Sequence, residues 1–260
     1  MINKKLGQHF LKSNKILTII SQSINIQDDD TIIEIGPGHG ELTSNILQAK
    51  KSIKKLILIE KDKNLANILK KKFNQKNIQI INDDVLKILP LITTNLENYK
   101  IVGNIPYYLT GRLLRIFSEL KNKPKLIILL VQKEVALRLS ANQPKMNLLA
   151  ASVQFWADVR ILNFVPKTCF YPQPKIDSSL IQLTPHNNLL TDPNLYYNFI
   201  KKLFKQPRKT IENNLKMFYI NIKGVLTNYN IPLNARPQDL NISTIIKLQK
   251  ILYNNKNEKK

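Results

Sequence analysis

Short, continuously apolar runs punctuate the first 185 residues: TIIEI (31–35), KLILIE (55–60), IQIIN (78–82), KIVG (100–103) and KLIILLV (125–131). Amphipathic stretches lie between them, at about 41–50, 63–73, 109–121 and 133–140. Strands that are apolar at every position and alternate with helices predict an α/β fold, a mostly parallel sheet covered on both faces. ASVQFWADVRILNFV (151–165) and SSLIQL (178–183), separated by a proline-punctuated loop, predict an antiparallel pair added at the sheet edge. From about 186 the texture changes. HNNLLTDPN has the composition of a linker, and LYYNFIKKLF and STIIKLQKILY predict short helices with no strand pattern around them. The expected organisation is one domain over 1–185 and a small helical one over 186–260, whose closing NNKNEKK is expected to fray.

Composition narrows this picture. A chain of 260 residues buries a large core, roughly 70–75% of its unfolded surface. No apolar run approaches the ~20 residues that span a bilayer, the longest being LIILLV at 126–131, so no membrane association is expected. MINKKLGQHFLK carries charge but no apolar core behind it, unlike a secretory signal. The single cysteine, Cys169, excludes an internal disulfide and a multi-cysteine zinc site, implying a reduced, cytoplasmic setting. Forty Lys and Arg against eighteen Asp and Glu give a net charge of +22, which points to a polyanionic partner. Part of that excess reflects a chain crowded with Lys, Asn and Ile, with six arginines among the forty cations. Residues from 186 onward hold thirteen of the cations and four acids, a local charge of +9.

The chemistry gathers where the strands end. IIEIGPGHGELT (32–43) sets Gly36, Gly38 and Gly40 between a strand and a helix, a turn that lets a ligand lie against bare backbone. The dinucleotide fingerprint needs a third glycine at position 41, which is Glu, and the Gly-Lys-Ser/Thr of a phosphate loop is absent. Glu34 precedes the turn, where it would repel a polyphosphate. Glu60, at the end of the second strand, is placed to take both hydroxyls of a ribose. Asp84, after the third, is placed to accept from an adenine amino group. Adenosine without phosphates but with a positive centre describes S-adenosyl-L-methionine.

At the end of the fourth strand stands Asn104-Ile105-Pro106-Tyr107. An exocyclic adenine nitrogen is a poor nucleophile because its lone pair is delocalised into the ring. Two acceptors holding its two hydrogens favour a more tetrahedral nitrogen, and the Asn104 side-chain oxygen with the Ile105 carbonyl is a candidate pair. Pro106 stiffens the turn, and Tyr107 offers a stacking face worth roughly 1–3 kcal/mol per base. Tyr108 reads as packing.

IEIGPGHGELT, LILIEKD, INDDV and GNIPYY resemble, in order and spacing, the ribosomal RNA adenine N6-dimethyltransferases. LGQHFL (6–11) is similar to that family's N-terminal cofactor motif, and TCFYPQPKIDSSL (168–180) to its phenylalanine–proline loop. LLVQKEVALRL and QPRKTIENNL extend the resemblance over nearly the whole chain. It implies a Rossmann-like S-adenosylmethionine-dependent sheet plus a small C-terminal α-helical RNA-binding domain. Cofactor contacts are implied at His9, Leu11, Gly36, Gly38, Glu60, Asp84 and Asn104, and Phe170 is implied to face Tyr107 across the target adenine. The bacterial small-subunit branch is the nearest in pattern, which implies a monomer that dimethylates two adjacent adenines near the 3′ end of 16S rRNA within an immature small ribosomal subunit. The large-subunit 23S rRNA enzymes share the Asn-x-Pro-Tyr site, and an rRNA-binding assembly factor with secondary methylation is a further alternative.

Two departures stand out. The family's basic element has two arginines before Lys-Thr, whereas KQPRKT has Pro207 in the first place, leaving Arg208 and Lys209 as the candidate RNA contacts. The family also has a basic extension before the Gly-Gln motif, where this chain begins almost at it. His9, His39 and His186 lack metal-ligand spacing, Cys169 and Trp156 read as packed residues, and Lys70–Lys72 as a solvated helix face.

Overall fold

The computed structural model describes residues 8–50 and 52–254. Leu6 and Gly7 of the N-terminal motif and the tail beyond Asn254 lie outside them. The chain divides into two compact units, one running up to Ala136 and resuming over Asp158–Pro185, the other made of Leu137–Ala157 and the residues from His186 onward. One boundary of this division falls between Pro185 and His186. The segment 137–157, expected within the first domain, clusters instead with the C-terminal helices.

In the first unit, β1 (Phe10–Leu11) and α1 (Asn14–Ser23) lead into β2 (Thr31–Ile35), α2 (Glu41–Ala49), β3 (Lys55–Ile59), α3 (Lys63–Lys72), β4 (Ile78–Ile81) and α4 (Val85–Thr93). Then follow β5 (Tyr99–Asn104), a 3-10 turn at Tyr107–Leu109, α5 (Thr110–Glu119), β6 (Leu126–Gln132) and α6 (Lys133–Leu139). Seven strands form one sheet in the order β4-β3-β2-β5-β6-β9-β7, with β7 at Ala157–Val165 and β9 at Ser178–Pro185. The five from β2 to β6 are parallel, and β9 runs antiparallel to β6. A two-residue strand β8 (Phe170–Tyr171) pairs antiparallel with β1.

The continuous apolar runs behave as double-sided burial requires: all five residues of β2 are buried, and β5 and β6 are buried along almost their whole length. α1 packs on α2, and α4 on α5. One core gathers Leu11, Ile16, Leu17, Ile32, Leu58, Val102 and Ile128. Because β2 continues outward to β3 and β4 while β5 and β6 lie on its other side, the strand order reverses between β2 and β5. A crevice opens outside the carboxyl ends of two such strands.

Three elements depart from the sequence expectation. α1 carries Ile16, Leu17 and Ile20 on its buried face, a helical spacing overlooked in a polar stretch. α4 forms with Pro90 inside it, and a proline inside a pattern argues against a helix. Residues 151–154, expected in an extended pair, belong to α7 (Leu148–Gln154), started by the Asn147 side chain accepting from the Leu149 and Ala150 amides.

In the second unit α7 is followed by α8 (Pro193–Leu203), α9 (Ile211–Leu215), α10 (Ile222–Asn228) and α11 (Ile242–Asn254). Asp192 caps α8 with proline at its first position, and Thr210 caps α9. α8 is the hub, packing on α7, α9 and α11, with Tyr196, Phe199, Ile200 and Leu203 buried.

Candidate active site

One cavity collects the carboxyl ends of β2, β3 and β5 in the first unit. Its lining includes His9, Leu11, Glu34, Gly36, Gly38, Glu60, Asp84 and the run Asn104–Leu109. The strand reversal explains why residues spread over positions 8–109 meet here.

The glycine turn is shaped by its neighbours. Gly38 holds φ +61°, and a Cβ there would sit 2.9 Å from the Phe10 ring, so both conformation and space exclude a larger residue. Gly103 faces a different limit, because a Cβ would lie 2.8 Å from the Ile35 carbonyl on the adjacent β2. Close approach of β2 and β5 therefore requires glycine just before Asn104.

Glu60 is buried and takes two backbone amides, Oε2 from Gly38 at 3.1 Å and Oε1 from Asp62 at 2.9 Å. Burial raises its carboxyl, and those amides work the other way. A carboxylate offers about four acceptor sites, so Glu60 shapes the turn and keeps capacity for ligand hydroxyls. Asp84 caps α4 through Leu86 N–H and pairs with Lys61 at 2.8 Å. Burial opposes its charge, but the Lys61 and Leu86 hydrogen bonds outweigh it and hold its carboxyl below the usual range.

Glu34 corrects one sequence argument. It is fully buried, with Thr43 the only side-chain donor to it among the described residues, at 2.7 Å, and burial pushes its carboxyl up to about 8. Pushed up in this way, it is a weaker source of negative charge than an exposed carboxylate. The negative character comes from the other acids: Glu41, Glu60, Asp83 and Asp84 line the cavity against a single lysine, Lys61. An acid-rich cavity in a chain of net charge +22 suits a cationic nucleoside and disfavours a polyphosphate, so the residues present fit S-adenosylmethionine.

Asn104 ends β5 with its side chain fixed: Nδ2 donates to the His9 carbonyl at 2.8 Å, and Oδ1 has no protein donor among the described residues. His9 Nδ1–H in turn donates to the Pro172 carbonyl at 2.7 Å, and its ring lies stacked on Tyr107 with centroids 5.9 Å apart. The Tyr107 hydroxyl is bonded to Ser178 Oγ at 2.7 Å. The β1–β8 ladder, in which Leu11 faces Phe170 and Phe10 faces Tyr171, pins this N-terminal segment over the cavity.

Two aromatic expectations change. Phe170 does not line the cavity; it is 4% exposed in the core with Leu11 and Leu17. Strand alternation turns Phe170 inward and leaves its neighbour Tyr171 exposed. Tyr108, expected to pack, is 50% exposed and lines the cavity. Phe10, whose ring covers Gly38, and Lys61 also belong to the site and carried no role in the sequence reading, although both lie inside the motifs LGQHFL and LILIEKD.

In the second unit, Arg208 and Lys209 are exposed on the turn between α8 and α9. α8 ends at Leu203, four residues before Pro207. Pro207 occupies the second position of a turn closed by Lys209 N–H donating to the Gln206 carbonyl at 2.9 Å. The buried Asn214 amide holds that turn, accepting from Gln206 N–H and donating to the Gln206, Lys209 and Thr210 carbonyls. Among the described residues no helix is long and apolar enough to cross a membrane, and no cluster of three or more His, Cys, Asp or Glu is placed to hold a metal.

Comparison with known proteins agrees with this geometry. The ribosomal RNA small subunit methyltransferase A of Mycoplasma mobile is 39% identical over 94% of this chain and 96% of its own, and that of Mycoplasma capricolum is 36% identical over 96% and 97%. The crystal structure of a dimethyladenosine transferase from Plasmodium falciparum shares the fold, with a TM-score of 0.81 at 24% identity, covering 96% of this chain and 99% of that one. The family model described as ribosomal RNA adenine dimethylase matches residues 1–253, and the chain belongs to that family.

Proposed function

We propose that this protein uses S-adenosylmethionine to dimethylate the N6 positions of two adjacent adenines near the 3′ end of 16S rRNA, acting in the cytoplasm on an immature small ribosomal subunit. The observation that carries the reading is Asn104. Its Nδ2 is committed to the His9 carbonyl, so its Oδ1 is presented as an acceptor and the amide cannot turn over without breaking that bond. With the Ile105 carbonyl it accepts the two hydrogens of the target amine, orienting the nitrogen lone pair. The relatives named as small subunit methyltransferases favour this substrate over 23S rRNA.

Bound S-adenosylmethionine supplies an electrophilic methyl group. The chain's own residues do the rest by proximity and orientation. Glu60 takes the ribose hydroxyls while holding the Gly38 amide, and Asp84, kept ionised by Lys61, accepts from the cofactor's adenine. Pro106 sets the turn, and Tyr107, anchored at Ser178 and His9, provides the stacking face for a target base drawn out of its helix. No strong base is required, because the nitrogen sheds its proton after attack. Phe170 supports the site from beneath through the β1–β8 ladder. Arg208 and Lys209 contact phosphates of the RNA.

The test is methyl transfer to low-salt small subunits from cells lacking the activity, with the modified positions mapped. Dimethyladenosine at two adjacent positions near the 3′ end is expected. Transfer to naked 23S rRNA with none to small subunits would overturn the reading.

A further inference from the structure

We infer that Tyr108 forms the outer wall of the cofactor's adenine pocket, its ring stacking on the base whose amino group Asp84 accepts. The inference rests on the cofactor orientation proposed above, adenine toward Asp84, and lies wholly within the first unit.

The two consecutive tyrosines of the turn after Asn104 serve different sides of it. Tyr107 belongs to the side of the β1–β8 ladder, with its hydroxyl on Ser178 and its ring stacked on His9. Tyr108 lines the same cavity but belongs to the side of Lys61 and Asp84. Lys61 is bonded to Asp84 at 2.8 Å, which raises its ammonium, and the Tyr108 hydroxyl adds to that effect through space. In-line transfer brings the methyl donor and the target amine to Asn104 from opposite sides. A ring beside Asp84 therefore belongs with the donor, and the Tyr107 ring with the target.

The ring is available and its backbone is fixed. Tyr108 is half-exposed while Leu109 beside it is buried. Among the described residues no other ring or cation lies on its face. Leu109 N–H donates to the Pro106 carbonyl at 2.9 Å and Thr110 N–H to the Tyr107 carbonyl, so hydrogen bonds close the turn around Tyr108 before α5 begins. Buried Val85, next to Asp84, adds apolar surface to the cavity. An adenine held at its edge by a carboxylate still leaves a flat face to water. An aromatic ring over that face removes the water and adds stacking.

The test titrates S-adenosylmethionine and S-adenosylhomocysteine by calorimetry into the full-length wild type, Tyr108→Ala, Tyr108→Phe and Asp84→Asn, with the melting temperature of the cofactor-free protein as a fold control. Stacking on the base is indifferent to the charge on sulfur. Tyr108→Ala is therefore expected to weaken both ligands about tenfold and by the same factor, while Tyr108→Phe retains the affinity. A loss confined to the sulfonium ligand, or wild-type affinity in Tyr108→Ala, would overturn the wall. So would a Tyr108→Ala variant that binds single-stranded oligoadenylate more weakly but the cofactor normally, because the ring would then belong to the RNA. Asp84→Asn separates two failures. Affinity lost there but kept in Tyr108→Ala strikes the wall alone, whereas affinity kept in both strikes the adenine orientation itself. No readout requires methyl transfer, so failure of the wild type to modify small subunits counts against the proposed function alone.

Discussion

Asn104 and Asn214 carry the same amide and use it in opposite ways. Asn214 is buried at 5% exposure and spends both ends of its side chain on backbone, one acceptance and three donations within Gln206–Thr210. Among the described residues, the Asn104 side chain makes one bond, to the His9 carbonyl, and keeps its oxygen unmatched beside the cavity. A satisfied amide is structural, whereas one oriented by its own NH2 and left open at its oxygen is poised for a ligand. The contrast separates the two units: the first holds acceptors in reserve, and the second spends its polar side chains on presenting cations.

The sharpest way to break this comparison is Asn104→Ala. Methyl transfer should fall about 10²–10³-fold, the scale for losing one oriented polar group at a reacting centre, with the melting temperature nearly unchanged. A near-normal rate would mean that the open oxygen is idle. Next comes Glu34. Its folded carboxyl sits at about 8 while the unfolded chain titrates near 4.5, so between those values the folded state holds the extra proton. Wild-type stability should therefore fall as pH rises from about 5 to 8, by up to about 1.4 kcal/mol per unit. Glu34→Gln should flatten denaturant midpoints over that window.

Asn214→Ala should cost about 1–2 kcal/mol of stability by removing the hydrogen bonds that hold the part-buried Gln206–Thr210 backbone, read as a lower melting temperature at unchanged cofactor affinity. Loss of rate without loss of stability would erase the distinction between the two asparagines. Gly38→Ala should weaken cofactor binding about tenfold, because the new Cβ would meet the Phe10 ring from a left-handed backbone; calorimetry measures it. The smallest effect belongs to Arg208→Ala/Lys209→Ala, a few-fold loss of RNA affinity with the salt slope reduced by about one to two.

The sheet and the cavity's glycine, acid and amide positions were legible because buried parallel strands are apolar throughout and turn chemistry is local. What escaped depends on partners distant in sequence. The grouping of 137–157 with the C-terminal helices follows from packing such as Tyr196 Oη donating to the Ala151 carbonyl, which no local pattern encodes. Phe170 and Tyr108 exchanged expected environments because a two-residue ladder turned one inward and the cavity wall left the other exposed. Glu34 looked like an ordinary charge in the sequence, and only its burial between strands, which no local pattern encodes, pushes its carboxyl up.

The β1–β8 ladder also dictates when the site can exist. Its two strands sit about 160 residues apart, Phe10 against Tyr171 and Leu11 against Phe170, and His9 locks Asn104 while reaching Pro172. During synthesis the amino-terminal half of this clasp leaves the ribosome first and waits for its partner. Until residue 172 has emerged, the cavity lacks its closure. A chain that ends before residue 172 thus carries every glycine, acid and amide of the motifs yet lacks the ladder and the Pro172 bond that hold His9 against Asn104.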